Sequence, residues 1–193
     1  MNRIQSAVVR DGAGLSTVKG DDEMKAGLLI AAVTTLAAVP ALAAGPTDPQ
    51  IAHIAYTAGQ IDIAAGKQAL ARSHNKIVRD FASEMVRDHT AVNDKALALV
   101  KKLHVTPEAN PTSAGLSKQA NATLKRLGQL SGAAFDKAYM DNEVAYHKTV
   151  NGALQSTLIP NAHNAELKSL LETGLTLFKE HQGHAEQIAK KVG

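Results

Sequence analysis

A chain of 193 residues with a net charge of +3, from 21 basic and 18 acidic side chains, has room for one domain with a real core. It contains no cysteine, which excludes disulfides, thiolate zinc sites, cysteine-ligated iron–sulfur clusters and covalently attached c-type haem, so any metal must be held by oxygen and nitrogen. The mild charge is spread along the chain without a basic run, an aromatic stacking platform or a phosphate-binding glycine loop, which argues against nucleic acid as a partner and a nucleotide as a cofactor.

From Met24 the sequence reads Met-Lys, then AGLLIAAVTTLAAVP, then ALAAG: a short basic start, an apolar stretch and small residues of the Ala-x-Ala kind. That pattern predicts a secretory signal peptide over 24–44, cleaved after Ala43 or Ala44. A membrane anchor fits less well, because the apolar run falls short of the roughly 20 residues of a span and Pro40 interrupts its end. Residues 1–23 are polar and aperiodic, and Asp21-Asp22-Glu23 does not suit a basic leader, so they are read as a non-native extension ahead of a true start at Met24. The mature chain, 45–193, is expected to be exported to the periplasm or the outer-membrane surface.

Asp48-Pro49 opens a helix A, which Ile51, Ile54, Ala58, Ile61, Ala65 and Ala69 carry at three- and four-residue steps to about Arg72. Ser73 is expected to cap helix B, whose stripe of Ile77, Phe81, Met85, Val92, Ala96, Leu99 and Leu103 reaches about His104; the tight connection makes A and B an antiparallel hairpin. VTPEANPTSAG reads as a loop, followed by a short helix over about 116–127. Ser131-Gly132 breaks the chain before helix C, about 133–158; Ile159-Pro160-Asn161 turns it, and helix D runs from about 164 to 191. With no alternating strand pattern, the expected fold is all-α: an up-down-up-down four-helix bundle with a short extra helix between B and C.

Several polar side chains occupy the stripes such a bundle buries. Asp136, Glu143 and His147 lie with Met140, Val150 and Leu154, while His181 and His184 lie with Leu170, Leu177 and Ile188. Buried carboxylates and imidazoles are costly unless paired, hydrogen-bonded or metal-bound. With the A/B and C/D turns at one end, a count at about 1.5 Å per residue sets Asp62 and Glu84 level, His89 and Glu143 about a turn and a half deeper, and His147 between; His181 and Asp136 fall roughly 15 Å below Asp62. On that count the whole set cannot ligate one ion, and forms either a dinuclear site with outlying partners or a metal-free polar ladder. Singly, each histidine reads as a hydrogen-bonded interior residue. Together the set points to a divalent transition metal held by Asp62, Glu84, His89, Glu143, His147 and His181, with Asp136 and His184 as weaker members. Zinc, copper, iron, nickel and manganese all suit such donors.

The arrangement resembles the ferritin-like bundles, although Glu84/His89 and Glu143/His147 are five and four residues apart where di-metal members carry Glu-x-x-His. A closer resemblance rests on FASEMVRDH (81–89), SGAAFDKAYMDNEVAYH (131–147) and FKEHQGHAEQI (178–188). On these segments the chain is similar to the DUF4142 family, an exported bacterial domain of unknown function placed with the ferritin-like folds and often labelled an outer membrane protein. The resemblance implies that the family's recurrent histidines correspond to His89, His147 and His181, and its Phe-Asp pair to Phe135-Asp136. It also implies a glutamate where Asp62 stands and a Leu-Pro near Leu177-Phe178, neither of which this chain has.

His53, His74, His104 and His163 fall near helix ends and read as surface residues; Asp88 reads as an exposed partner of Arg87 or Lys95, and Tyr139 and Tyr146 as packing residues with hydroxyls at the rim. The small residues along these helices imply tight packing, with no cleft for hydrolysis and no pocket for haem. No nucleophile pattern occurs, so no catalytic residue is assigned and a non-enzyme is favoured. The expected function is divalent-metal binding by an exported bundle of unestablished activity. The alternative is a metal-free cell-envelope protein with a structural or interaction role, assembling with itself or with an envelope partner.

Overall fold

The computed structural model describes residues 45–192, so the segments read as an extension (1–23) and a signal peptide (24–44) lie outside the described residues. Local sequence sets the helix ends. Thr47 precedes α1 (Asp48–Arg72) and donates its N–H to Gln50 Oε1 at 3.2 Å, with Pro49 in the first turn where it costs no hydrogen bond. Asn75, not Ser73, caps α2 (Lys76–Lys102): its Oδ1 accepts from Ile77 N–H at 3.0 Å, and Ser73 Oγ supports it by accepting the Asn75 N–H. The extra helix is longer than expected. α3 (Pro111–Leu127) begins at a proline capped by Asn110, whose Oδ1 accepts the Ser113 N–H, so much of the expected loop is helical.

α4 (Gly132–Ala153) passes into a π turn (Leu154–Leu158) and a last turn, α5 (Ile159–Asn161), before α6 (Ala165–Val192). Pro160 explains the π turn. Proline lacks an N–H and crowds the carbonyl four residues back, and a wider turn relieves both. Among the described residues the protein is all-helical, with no strand and no helix long and apolar enough to cross a membrane.

Four contacts fix the helix directions. The Asp48 carboxylate accepts the backbone N–H groups of His163 and Asn164 at 2.9 and 2.8 Å, which ties the turn before α6 to the start of α1. Glu108 N–H donates to Pro49 O, so α2 also ends there. At the other end Gln68 Nε2 donates to Leu124 O and Arg72 to Leu130 O, so α3 has travelled the full length of α1. The four long helices therefore run up, down, down and up. The expected up-down-up-down order is corrected, because α3 is a crossover that returns the chain to the end where α2 began.

α1 packs on α2, α2 on α6, α6 on α4 and α4 on α1, while α3 lies outside against α1 and α4. The two halves of the interior differ. Towards the α1–α2 turn, Phe81, Met85, Leu127, Phe135, Tyr139 and Met140 are fully buried in one cluster. There the helices approach closely: a Cβ on Gly66 would come within 3.0 Å of Ala82 O. Towards the other end Ile51, Ile54, Leu154, Leu158, Leu167 and Leu171 form a second cluster. A cavity of about 750 Å³ lies between their helices. The expectation that small residues close the interior is thus met in one half and overturned in the other.

Candidate metal centre

Between the two clusters lies a belt of buried polar side chains: Asp62 on α1, His89 on α2, Glu143 and His147 on α4, and His181 on α6. Asp62 stands ten residues from Arg72, His89 thirteen from Lys76, Glu143 eleven from Gly132 and His181 eleven from Val192, and all four of those termini share one end. This common height corrects the expected 15 Å drop to His181. The sequence count placed the α1–α2 and α4–α6 turns together, whereas they lie at opposite ends.

One possible ligand atom from each of His89, His147 and His181 lies within 4.8 Å of the other two, and the same holds for Asp62, Glu143 and His147. Three atoms so spaced leave a central point at most about 2.8 Å from each (4.8 Å divided by √3), under an ångström beyond a normal metal–imidazole bond. The imidazole centroids stand 5.3–5.7 Å apart. His89 Nε2 lies 3.4 Å from Asp62 Oδ2.

Two of the imidazoles are oriented by a partner on the far ring nitrogen. His147 Nδ1–H donates to Glu143 O at 3.0 Å, one turn back on α4, which leaves Nε2 bare. His181 Nε2–H donates to Asp88 Oδ2 at 3.1 Å, and Arg87 holds that carboxylate through bonds of 2.6 and 3.0 Å, which leaves Nδ1 bare. Metal-binding histidines are commonly fixed in this way. Both nitrogens of His89, both carboxyl oxygens of Glu143 and Oδ1 of Asp62 also lack a hydrogen-bond partner. An unpartnered buried polar atom costs about 1–3 kcal/mol; a proton shared between the Asp62 and Glu143 carboxyls relieves part of this, and the bare nitrogens of the three imidazoles are left without any partner.

Burial disfavours the charged form of each of these groups. It pushes the Asp62 carboxyl well above its usual range, with the Glu143 charge adding to the effect, and pushes Glu143 up to about 8. Burial and the neighbouring imidazoles hold His89 down at about 2; burial, with His181 adding, holds His147 down at about 4. The same burial lowers His181, against the opposing charge of Asp88. Neutral imidazole is the form that ligates, and a divalent cation would reverse the penalty on the carboxylates.

The remaining candidates fall outside this belt. Glu84 is half-exposed and its Oε2 meets His184 Nδ1 at 2.8 Å. Glu84 joins Asp88 and His181 in a third group nearer the surface. Asp136 is buried but joins none of the three groups. His74, His104 and His163 are exposed and His53 is half-buried. Tyr146 donates to Ala58 O at 3.1 Å, whereas the Tyr139 hydroxyl is wholly buried without a partner and is not at a rim. Asp88 pairs with Arg87 as read from the sequence, but also orients His181. Phe178 was not singled out, yet it stacks on His89 with centroids 4.6 Å apart. Its place three residues before His181, on one helix face, was the available signal.

Fold and site define an all-helical protein with a buried histidine–carboxylate belt that could hold a metal ion. A family described as "Domain of unknown function (DUF4142)" matches residues 31–188, and the chain belongs to it. Among solved structures the chain is similar in fold to a Streptomyces coelicolor protein described as "putative secreted protein DUF305", with 11% identity and a TM-score of 0.64 over 75% of this chain and 92% of that one. No curated protein matches it.

Proposed function

We propose that this protein is an exported, ferritin-like four-helix bundle that binds a divalent transition metal through His89, His147 and His181, with Asp62 and Glu143 beside them. Glu84 and Asp88 flank His181 on the α2–α6 side, with His184 paired to Glu84. The observation that carries the reading is the convergence of unpartnered imidazole and carboxyl atoms on one buried belt. The single crossover helix supports the ferritin-like assignment, since that class has one such connection. The apolar stretch from Met24 supports export.

The test is the metal content of protein expressed from the full chain in a bacterial host and purified without chelator or histidine tag. A near-stoichiometric transition metal that is lost in a His89→Ala/His147→Ala double variant is expected. Protein that emerges empty, and whose melting is unmoved by zinc, copper, iron and manganese, would overturn the reading in favour of a metal-free envelope protein.

A further inference from the structure

The cavity of about 750 Å³ lies at the end of the interior away from the α1–α2 turn, bounded by α1, α2, α3, α4 and α6. Its walls combine branched and aromatic side chains such as Ile54, Leu167, Leu171 and Phe178 with small residues that leave room between them. Ala52 and Ala58 on α1 are buried, and Ala55 on α1, Ala96 on α2 and Ala153 on α4 are half-buried along it. None of the lining residues carries a charge. Polar groups are sparse and lie mainly near its ends: Gln50, Asn110 and Thr157 by the chain ends of α1, α3 and α4, and Asn93 by the polar belt.

Protein interiors are packed as densely as organic crystals, and the cost of an empty void rises with its volume. The cavity is not sealed: exposed Pro111, Thr112, Thr149 and Thr157 stand at its margin, so a ligand can enter from solvent and cover apolar wall that water would otherwise wet. Water is a poor filling, because each molecule needs two to four polar partners and most of this wall offers none. The uncharged lining also disfavours an ionised ligand, whose charge would lose hydration along the wall without a counter-charge.

The geometry points to a second binding site, independent of the metal, that takes a neutral, elongated apolar molecule: a hydrocarbon chain or ring system whose head group, if any, is uncharged. Its inner end rests against Phe178, the same ring that stacks on His89 and stands 6.4 and 6.0 Å from the His147 and His181 rings. One aromatic ring therefore separates this ligand from the polar belt.

The experiment titrates the protein purified from expression of the full chain with N-phenyl-1-naphthylamine, a neutral fluorescent probe, in chelator and in metal. One saturable site is expected under both conditions, displaced by hexadecanol far better than by hexadecanoate. Ala96→Phe and Ala153→Phe, made separately, each fill part of the space and are expected to weaken the probe about tenfold or more without lowering the melting temperature. Absence of saturable binding, or binding that both variants leave intact, would overturn the site. Equal displacement by the alcohol and the carboxylate would overturn the neutral-ligand class. A cavity closed to the probe until residues 24–44 are removed would overturn the small-molecule occupant in favour of that apolar segment. Dependence on metal would refute independence of the two sites, while a failed metal assay leaves this readout untouched.

Discussion

The two ends of this interior are walled by the same helices, yet one is filled by Phe81, Phe135, Tyr139 and two methionines and the other leaves a cavity that opens to solvent. Helix propensity and amphipathic period are alike in both halves. What differs is side-chain volume: where small residues such as Ala52, Ala58, Gly59 and Gly174 line the space between helices, room remains. The same residue type has the opposite effect at Gly66, where α1 and α2 come close enough that a Cβ would meet the Ala82 carbonyl. Small residues thus report close packing only where the backbones are free to approach.

The sharpest way to break this contrast is to hollow the filled half. Phe81→Ala is expected to destabilise by about 3–5 kcal/mol in denaturant unfolding, because its neighbours are large and fully buried and collapse only in part. A cost below about 1 kcal/mol would mean that the filled half is loosely packed. The belt between the halves should respond next. A divalent ion at a hundredfold excess over its dissociation constant is expected to stabilise the fold by about 2.7 kcal/mol, and the His89→Ala/His147→Ala variant to gain nothing.

Overpacking separates the halves directly. Ala82→Leu enters the dense cluster and is expected to cost about 1–3 kcal/mol, whereas Ala96→Leu enters the cavity and is expected to change stability by less than about 1 kcal/mol in either direction. Equal penalties in thermal melts would erase the distinction. The smallest effect falls on orientation. Asp88→Asn removes the carboxylate behind His181 and is expected to weaken metal binding about tenfold, measured by chelator competition, while Arg87→Ala, which leaves the His181 bond in place, should weaken it less.

Sequence by itself determined the helices and their inward stripes, because period, caps and breakers act within a few residues of each other: α1 ends at Arg72 and α6 spans almost the residues expected. It also singled out Glu143, His147 and His181, since a polar side chain on an apolar stripe is visible without a partner, although the same signal named Asp136 and His184, which lie outside the belt; His89 came from the depth count and the family resemblance. It could not decide whether they meet. That depended on α3, whose length and direction place the α1–α2 and α4–α6 turns at opposite ends, a consequence of contacts such as Asp48 with His163 and Asn164 that join residues more than a hundred positions apart. The cavity was hidden for the same reason: an alanine stripe fixes how little each helix contributes, and only the distance between helices decides whether the remainder is contact or space.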